Sequence, residues 1–254
     1  MRVVFLGVGE ACDERYANTS IWLRTETDGL QRSVLLDCGF TVPSLYWRQT
    51  TNPDDLDALW ISHFHGDHFF GVPALLLRFW ETKREKPLTI LGQSGVEDMV
   101  RRTMELAYPH FLQKLMYPLE FITAEPTREI LAVGLKWQFA LNGHGQRDLA
   151  VRIEDGAHSV FYSGDGLPTP ETAALAEGCD LVIHEAFRME GVTPGHGTVR
   201  ECIDFSRRAR AASLALVHLQ RDERKERFSD ILNLLKGIED IQVLLPEPGD
   251  ELNL

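Results

Sequence analysis

Three of the nine histidines fall within one six-residue segment, His63-Phe64-His65-Gly66-Asp67-His68, a density that favours metal chemistry over a titrating surface cluster. Side chains alternate along an extended segment, so His63 and His65 face the same side and can grip one ion. Gly66 then turns the chain, and Asp67 and His68 leave in another direction toward a second ion. Imidazole and carboxylate donors suit zinc, manganese or iron, with zinc first. Further polar residues stand at the ends of apolar runs, where a buried strand meets a cleft. His144 lies in Asn142-Gly143-His144-Gly145, Asp165 in Ser163-Gly164-Asp165-Gly166, and His218 ends Leu214-Ala215-Leu216-Val217. Singly, each reads equally well as a turn or cap. Jointly, four strand-end segments feeding one edge point to a dinuclear site.

The elements that must position these residues follow from periodicity. Short β-branched and apolar runs at Val3 to Leu6, Ser20 to Thr25 and Ser33 to Asp37 predict meandering, largely antiparallel strands. After Thr51-Asn52-Pro53-Asp54-Asp55, a turn and a candidate helix start, Ala58 to Ile61 reads as a buried strand ending at the histidine cluster. Val72, Leu75, Leu76 and Phe79 share one helical face. A strand at Leu88 to Leu91 and a helix from Val96 to Tyr108 follow, the latter stopped by Pro109. The second half repeats the order of strands followed by helices. Its strands are Leu119 to Thr123, Leu135 to Leu141, Ala150 to Ile153, Val160 to Ser163, Leu181 to His184, Leu214 to Leu219 and Gln242 to Leu245. Its helices are Thr198 to Ala211 and Ser229 to Lys236. Two strand-rich halves, each closing with helices, predict an α/β (α+β) fold in which two mixed sheets pack face to face with helices outside, an αββα sandwich.

The chain of 254 residues carries 26 Lys and Arg against 38 Asp and Glu, a net charge of −12 that argues against broad adhesion to nucleic acid or anionic membrane. Its 44% hydrophobic content excludes a disordered chain. The opening apolar run is too short for a signal segment, and no stretch approaches the ~20 apolar residues needed to span a bilayer. A cytoplasmic protein with no membrane partner is expected. Cys12, Cys38, Cys179 and Cys202 are scattered without a C-x-x-C pair and read as reduced thiols. With no linker, low-complexity segment or repeat, residues 1–254 read as one domain.

The pattern His63-x-His65-x-Asp67-His68, a later single His, Ser-Gly-Asp165 and a C-terminal His218 resembles the metallo-β-lactamase superfamily. That resemblance implies that His63, His65 and His144 hold one ion and Asp67, His68 and His218 a second, with Asp165 bridging them. Three more segments resemble the RNase Z type of phosphodiesterase: Leu181 to Phe187, Gly195-His196-Gly197-Thr198, and His218-Leu219-Gln220-Arg221. Leu6-Gly7-x-Gly9 with Asn18-Thr19-Ser20 is similar to the same branch. The resemblance implies that His196 lies near the scissile phosphate and is oriented by Glu185. The chain departs from the family at Phe187, where Thr is usual, and at Gly197. The interval from His144 to Asp165 holds two short strands and a turn but not the protruding arm with which bacterial RNase Z proteins grip transfer RNA.

The expected function is therefore that of a metal-dependent phosphodiesterase cleaving a small or nucleotide-type phosphodiester with hydroxide held by the two metals. Asp67 would accept the remaining proton. His196 would stabilise the transition state or protonate the leaving alkoxide, with Glu185 fixing its tautomer. The helix beginning near Thr198 would present N–H groups to the phosphate. Transfer-RNA 3′ processing is the alternative, as are a thioesterase, lactonase or arylsulfatase on the same metals. RNA contact would fall to the basic stretch Arg200, Arg207, Arg208, Arg210, Arg221, Arg224, Lys225 and Arg227, which reads better as a solvated face laced with acidic residues. His184 is expected to point away from the site. Dimerisation is suggested by the resemblance alone, and the apolar segment around Tyr108, Phe111, Leu112, Leu115 and Tyr117 is a candidate subunit contact, cleft cover or core element.

Overall fold

A computed structural model describes residues 1–254. The first half lays down β1 (Arg2–Gly7), β2 (Ser20–Thr27), β3 (Leu30–Leu36), β4 (Ala58–Ile61), β5 (Leu88–Gly92) and β6 (Leu119–Thr123). Between them run α1 (Val42–Gln49), α2 (Gly66–Phe69), α3 (Val72–Glu81) and α4 (Val96–Ala107). The second half supplies β7 (Ile130–Ala132), β8 (Leu135–Leu141), β9 (Leu149–Glu154), β10 (Ser159–Tyr162), β11 (Leu181–Glu185), β12 (Ser213–Val217) and β13 (Gln242–Leu244). Its helices are α5 (Pro170–Leu175), α6 (Val199–Arg208), α7 (Arg221–Glu226) and α8 (Phe228–Lys236), and β14 (Glu251–Asn253) closes the chain.

The strands form two seven-stranded sheets, ordered β14-β1-β2-β3-β4-β5-β6 and β13-β12-β11-β10-β9-β8-β7. Each is mixed: β1, β2 and β3 pair antiparallel while β3 to β6 run parallel. Likewise β7 to β10 are antiparallel and β10 to β13 parallel. The last strand, β14, returns from the second half to extend the first sheet along β1.

Period-two alternation explains why the strands are apolar on both faces. Val3 and Phe5 of β1 join the core between the sheets, whereas Val4 and Leu6 point outward beneath α1 and α3. The inter-sheet core centres on Trp60, whose ring stacks on Phe139 of the opposite sheet at 5.1 Å. A third cluster seals the second sheet under α6 through Phe161, Val199, Cys202 and Phe205.

The predicted elements are present with ends moved by at most three residues, and the differences are informative. No helix starts after Pro53; one turn at Pro53-Asp54 and three irregular residues lead into β4, and Asp54 caps the neighbouring loop by accepting from the Glu85 and Lys86 N–H groups. The helices α1, α2, α5 and α7 and the strands β7 and β14 are too short to show a periodic pattern. Tyr117 is buried, its hydroxyl bonded to Leu76 O at 3.0 Å, while Tyr108, Phe111, Leu112 and Leu115 pack on the outer core of the first sheet. All four cysteines are free, and no helix is long and apolar enough to cross a membrane.

Candidate metal centre

All the candidate ligands sit past the C-terminal ends of strands, at one edge of the sandwich. His63 and His65 follow β4, and Asp67 and His68 lie on α2, which starts at Gly66. His144 follows β8, Asp165 follows β10 and His218 follows β12. One ligand atom from each of His63, His65, His144 and Asp165 lies within 4.8 Å of the others, and the same holds for Asp67, His68, Asp165 and His218. Asp165 is common to both groups.

The donor geometry fits divalent ions. Nitrogens that repel or compete for a proton face one another: His63 Nε2 and His65 Nδ1 at 2.9 Å, His65 Nδ1 and His144 Nε2 at 3.2 Å, and His68 Nε2 and His218 Nε2 at 3.4 Å. The buried Asp165 Oδ1 has no hydrogen-bond partner among the side chains around it. On their far sides the imidazoles are held as metal-ligating histidines usually are, by carboxylates and carbonyls. His68 donates from Nδ1 to Asp37 Oδ2 at 2.7 Å, and His144 from Nδ1 to Gly195 O at 2.8 Å. The Nδ1 of His63 faces Asp148 Oδ2 at 2.8 Å and Ser62 Oγ at 3.0 Å.

Asp37, Asp148 and Asn142 did not figure among the expected residues. Asp37 accepts from the Ser62 N–H, the Ser62 hydroxyl and the Tyr162 hydroxyl as well as His68, which ties the two sheets together beneath the site. It ends the apolar run of β3, the same strand-end signal that marked His144 and Asp165. Asp148 opens the run of β9 and accepts the Asp165 N–H at 3.0 Å. Asn142 donates to the carbonyls of Ser163 and Asp165, clamping the ends of β8 and β10. Asp37 and His218 both hold left-handed backbone, φ 57° and 60°, a strained geometry that clusters at functional sites. Gly164, φ 63°, has no room for a side chain, since a Cβ would sit 2.5 Å from Asp148 Oδ1.

The electrostatics divide along the same two groups. Burial and the neighbouring His68 push His63 down to about 4, and burial with His63 and His144 does the same to His65. His218 is raised to about 9: burial opposes its charge, but Asp165 and Asp67 outweigh it. Burial opposes the charge on Asp67 and Asp165 too, yet His68 and His218 hold both carboxyls below the usual carboxylate range. The carboxylates thus demand positive charge, which protonated imidazoles supply without metal and dications would supply in their place, releasing protons.

At two of the expected features the local bonding has its own detail. Glu185 and His196 do converge, with Nδ1 and Oε1 3.4 Å apart, but no hydrogen bond joins them. Glu185 Oε1 instead accepts the N–H groups of Gly166 at 3.0 Å and Gly197 at 2.8 Å, while Oε2 is buried without a hydrogen-bond partner. At the start of α6, three N–H groups are already bonded. The Thr198 N–H is taken by Glu201, the Val199 N–H by Arg188 O, and the Glu201 N–H by the Thr198 hydroxyl in a capping box. His184 points away, as expected, its Nδ1 bonded to Glu185 O at 2.8 Å. In the basic stretch most cations are paired: Arg207 with Asp240, Arg221 with Glu10, Arg224 with Glu247, Arg227 with Asp230, Arg200 with Glu190 and Arg210 with Glu177.

Comparison with known proteins agrees with this architecture. The model of the family described as Anti-Pycsar protein Apyc1 matches residues 1–236. The chain belongs to the Apyc1 family. It is also similar to a ribonuclease Z of Metallosphaera sedula, 24% identical across 100% of this chain and 99% of the relative. That alignment runs to 303 positions, so the relative holds segments with no counterpart in this Apyc1-family chain. Among solved structures, the metallo-beta-lactamase fold protein YhfI from Bacillus subtilis superposes with a TM-score of 0.80 at 24% identity, covering 99% of both chains. Human tRNase Z, short form, superposes with a TM-score of 0.78 at 23% identity, covering 100% of this chain and 99% of that one. The fold is that of the metallo-β-lactamases, and the chain is RNase Z-like.

Proposed function

We propose that the chain is a dinuclear metal-dependent hydrolase of phosphodiester bonds, acting on a small or nucleotide-type phosphodiester, with residues 1–254 as its one hydrolase domain. The observation that carries this reading is the pair of ligand groups sharing Asp165, with His196 flanked by His144 of the first group and His218 of the second. In this reading His63, His65, His144 and Asp165 hold one ion, and Asp67, His68, His218 and Asp165 the other. Zinc suits the imidazole-rich donor set best, with manganese or iron as alternatives. When bound, such a pair of ions supplies Lewis acidity and lowers the pKa of water toward ~7.

The chain's own residues do the rest. Asp37 and Asp148 fix the rings of His68 and His63, so the donor atoms are set before substrate arrives. Asp67, beside His218 at 3.3 Å, takes the proton lost by the attacking water. His196 presents Nε2 to the substrate and delivers a proton to the leaving alkoxide. Glu185 holds the Gly197 N–H, and with it the segment that carries His196.

A small substrate is supported by the tight turn between β9 and β10, which leaves no arm, and by ion pairing across the basic stretch. Transfer-RNA 3′ processing is the second reading, favoured by the similarity to ribonuclease Z over the whole chain. Four free cysteines agree with a reducing compartment such as the cytoplasm. A homodimer belongs to the same reading by resemblance.

The test is a side-by-side assay of the metal-reconstituted protein on bis(4-nitrophenyl) phosphate, a 2′,3′-cyclic nucleotide, precursor tRNA and a thioester. Turnover of the first two, abolished by a chelator and restored by zinc or manganese, is expected. Equal turnover of the thioester overturns the preference for phosphorus, and faster cleavage of precursor tRNA overturns the small substrate. His196→Ala should keep both ions and lose about 10²- to 10⁴-fold in turnover. Loss of metal in that variant would make His196 a ligand.

A further inference from the structure

The proposed role of His196 requires its ring to stand in one orientation, yet no hydrogen bond joins it to the neighbouring carboxylate, 3.4 Å away. Glu185 Oε1 is occupied by the N–H groups of Gly166 and Gly197, and the half-buried His196 leaves Nδ1 without a hydrogen-bond partner. What does cover the ring is Phe187, two residues beyond Glu185. The two rings stack with centroids 4.5 Å apart and planes 26° from parallel. The edge of His144 closes against His196 at 5.1 Å and 78°.

Phe187 is itself held at both ends of its peptide unit. Its N–H donates to Gly197 O at 3.0 Å, and its carbonyl accepts the Gln220 N–H at 2.9 Å. Gly197 is thus gripped twice by one short segment, through Glu185 Oε1 on its N–H and through Phe187 on its carbonyl. The backbone around His196 is fixed by these bonds and by the Thr193 carbonyl, which accepts the His196 N–H at 3.1 Å. That leaves ring rotation as the remaining freedom, and a flat aromatic face at stacking distance restricts it without consuming either nitrogen. A hydrogen-bonded carboxylate would tie up Nδ1; a stacked phenyl ring leaves both nitrogens free.

We propose that Phe187 is the positioning residue that orients the His196 imidazole. The proposal rests on the phosphodiesterase reading only for its kinetic consequence. Removing the ring while keeping the apolar bulk frees the imidazole to rotate, and any planar aromatic replacement restores it.

The experiment compares Phe187→Leu, Phe187→Met and Phe187→Tyr with the unsubstituted protein, each labelled with ¹⁵N-histidine, with the His196 signals assigned from the ones that disappear in His196→Ala. Long-range ¹H–¹⁵N spectra of the metal-free proteins report ring tautomer and mobility, and turnover of bis(4-nitrophenyl) phosphate by the metal-loaded proteins reports the consequence. Phe187→Leu and Phe187→Met should broaden or average the His196 nitrogen signals and leave those of His63 and His68 in place. They should lower kcat by about tenfold with KM and metal content unchanged, and Phe187→Tyr should restore both spectrum and rate. Unchanged His196 signals in the Leu and Met variants overturn the proposal, as does a Tyr variant that fails to restore them. Absence of turnover in the unsubstituted protein overturns the phosphodiesterase reading alone, since the spectra still decide the role of Phe187.

Discussion

The two sheets contribute to the site in opposite ways. The first delivers His63, His65, Asp67 and His68 from one continuous segment after β4, with the turn into α2 deciding which way each points. The second delivers His144, Asp165 and His218 from three separate strand ends, each useful only because β8, β10 and β12 sit in register with their neighbours. The first set is a local motif and the second a product of sheet packing. Local geometry survives perturbation of the rest of the molecule; geometry assembled from distant strands does not.

That contrast can be broken most severely at Asp165, which belongs to both ligand groups. Asp165→Asn should remove both ions and lower turnover by at least about 10³-fold, measured as metal content by mass spectrometry alongside activity. Retention of one ion, held by the first-sheet residues, would sharpen the contrast instead. Trp60 tests how far the second set depends on packing. Trp60→Ala opens a cavity between the sheets opposite Phe139 and should cost about 3–5 kcal/mol of stability by urea unfolding. Metal affinity should fall with it.

A finer test compares the supports of the two sets. Asp37→Asn weakens the hold on His68, and Asn142→Ala releases the clamp between β8 and β10; each should cost about 10- to 100-fold in metal affinity or activity. Asp37→Asn should weaken the Asp67, His68 and His218 group first, whereas Asn142→Ala should weaken the group containing His144. Identical loss of both ions in both variants would erase the distinction.

The smallest effect is expected at the far end of the sandwich, where Asp155, in the turn after β9, accepts from Thr25 of β2 and from the His158 and Ala157 N–H groups. Burial opposes its charge, but these donors outweigh it and hold the carboxyl at about 2. Because the folded value lies below the unfolded one, the stabilisation is complete above about pH 4 and is lost as pH falls through about 2. The gap in urea midpoint between the unsubstituted protein and Asp155→Asn should therefore be small, constant from pH 7 to about 5, and closed near pH 2. A gap that widens on acidification would refute this account.

Legibility followed the same division. The segment 63–68 could be read directly because its ligands are neighbours in the chain. His144, Asp165 and His218 were legible as polar residues ending apolar runs, and Asp37 obeys the same rule at the end of β3. Asn142 ends the run of β8 as well, but its role, like that of Asp148, comes from the strand-end carbonyls and the Asp165 N–H met across the sheet. The long strands and the helices α3, α4, α6 and α8 show their periods plainly. The single-turn α2, the short α5 and α7, and the three-residue β7 and β14 do not span enough residues to display one.

The amino-acid sequence by itself determined the donor types, the two-sheet architecture and the order in which ligands appear, because period-two burial and side-chain chemistry are local properties. Tertiary structure alone decided which donors meet, that Asp165 is common to both groups, and that Glu185 Oε1 takes two backbone N–H groups while the Phe187 ring faces His196. Those outcomes depend on distances between strand ends set by packing and register, and neither is written in any one segment of the chain.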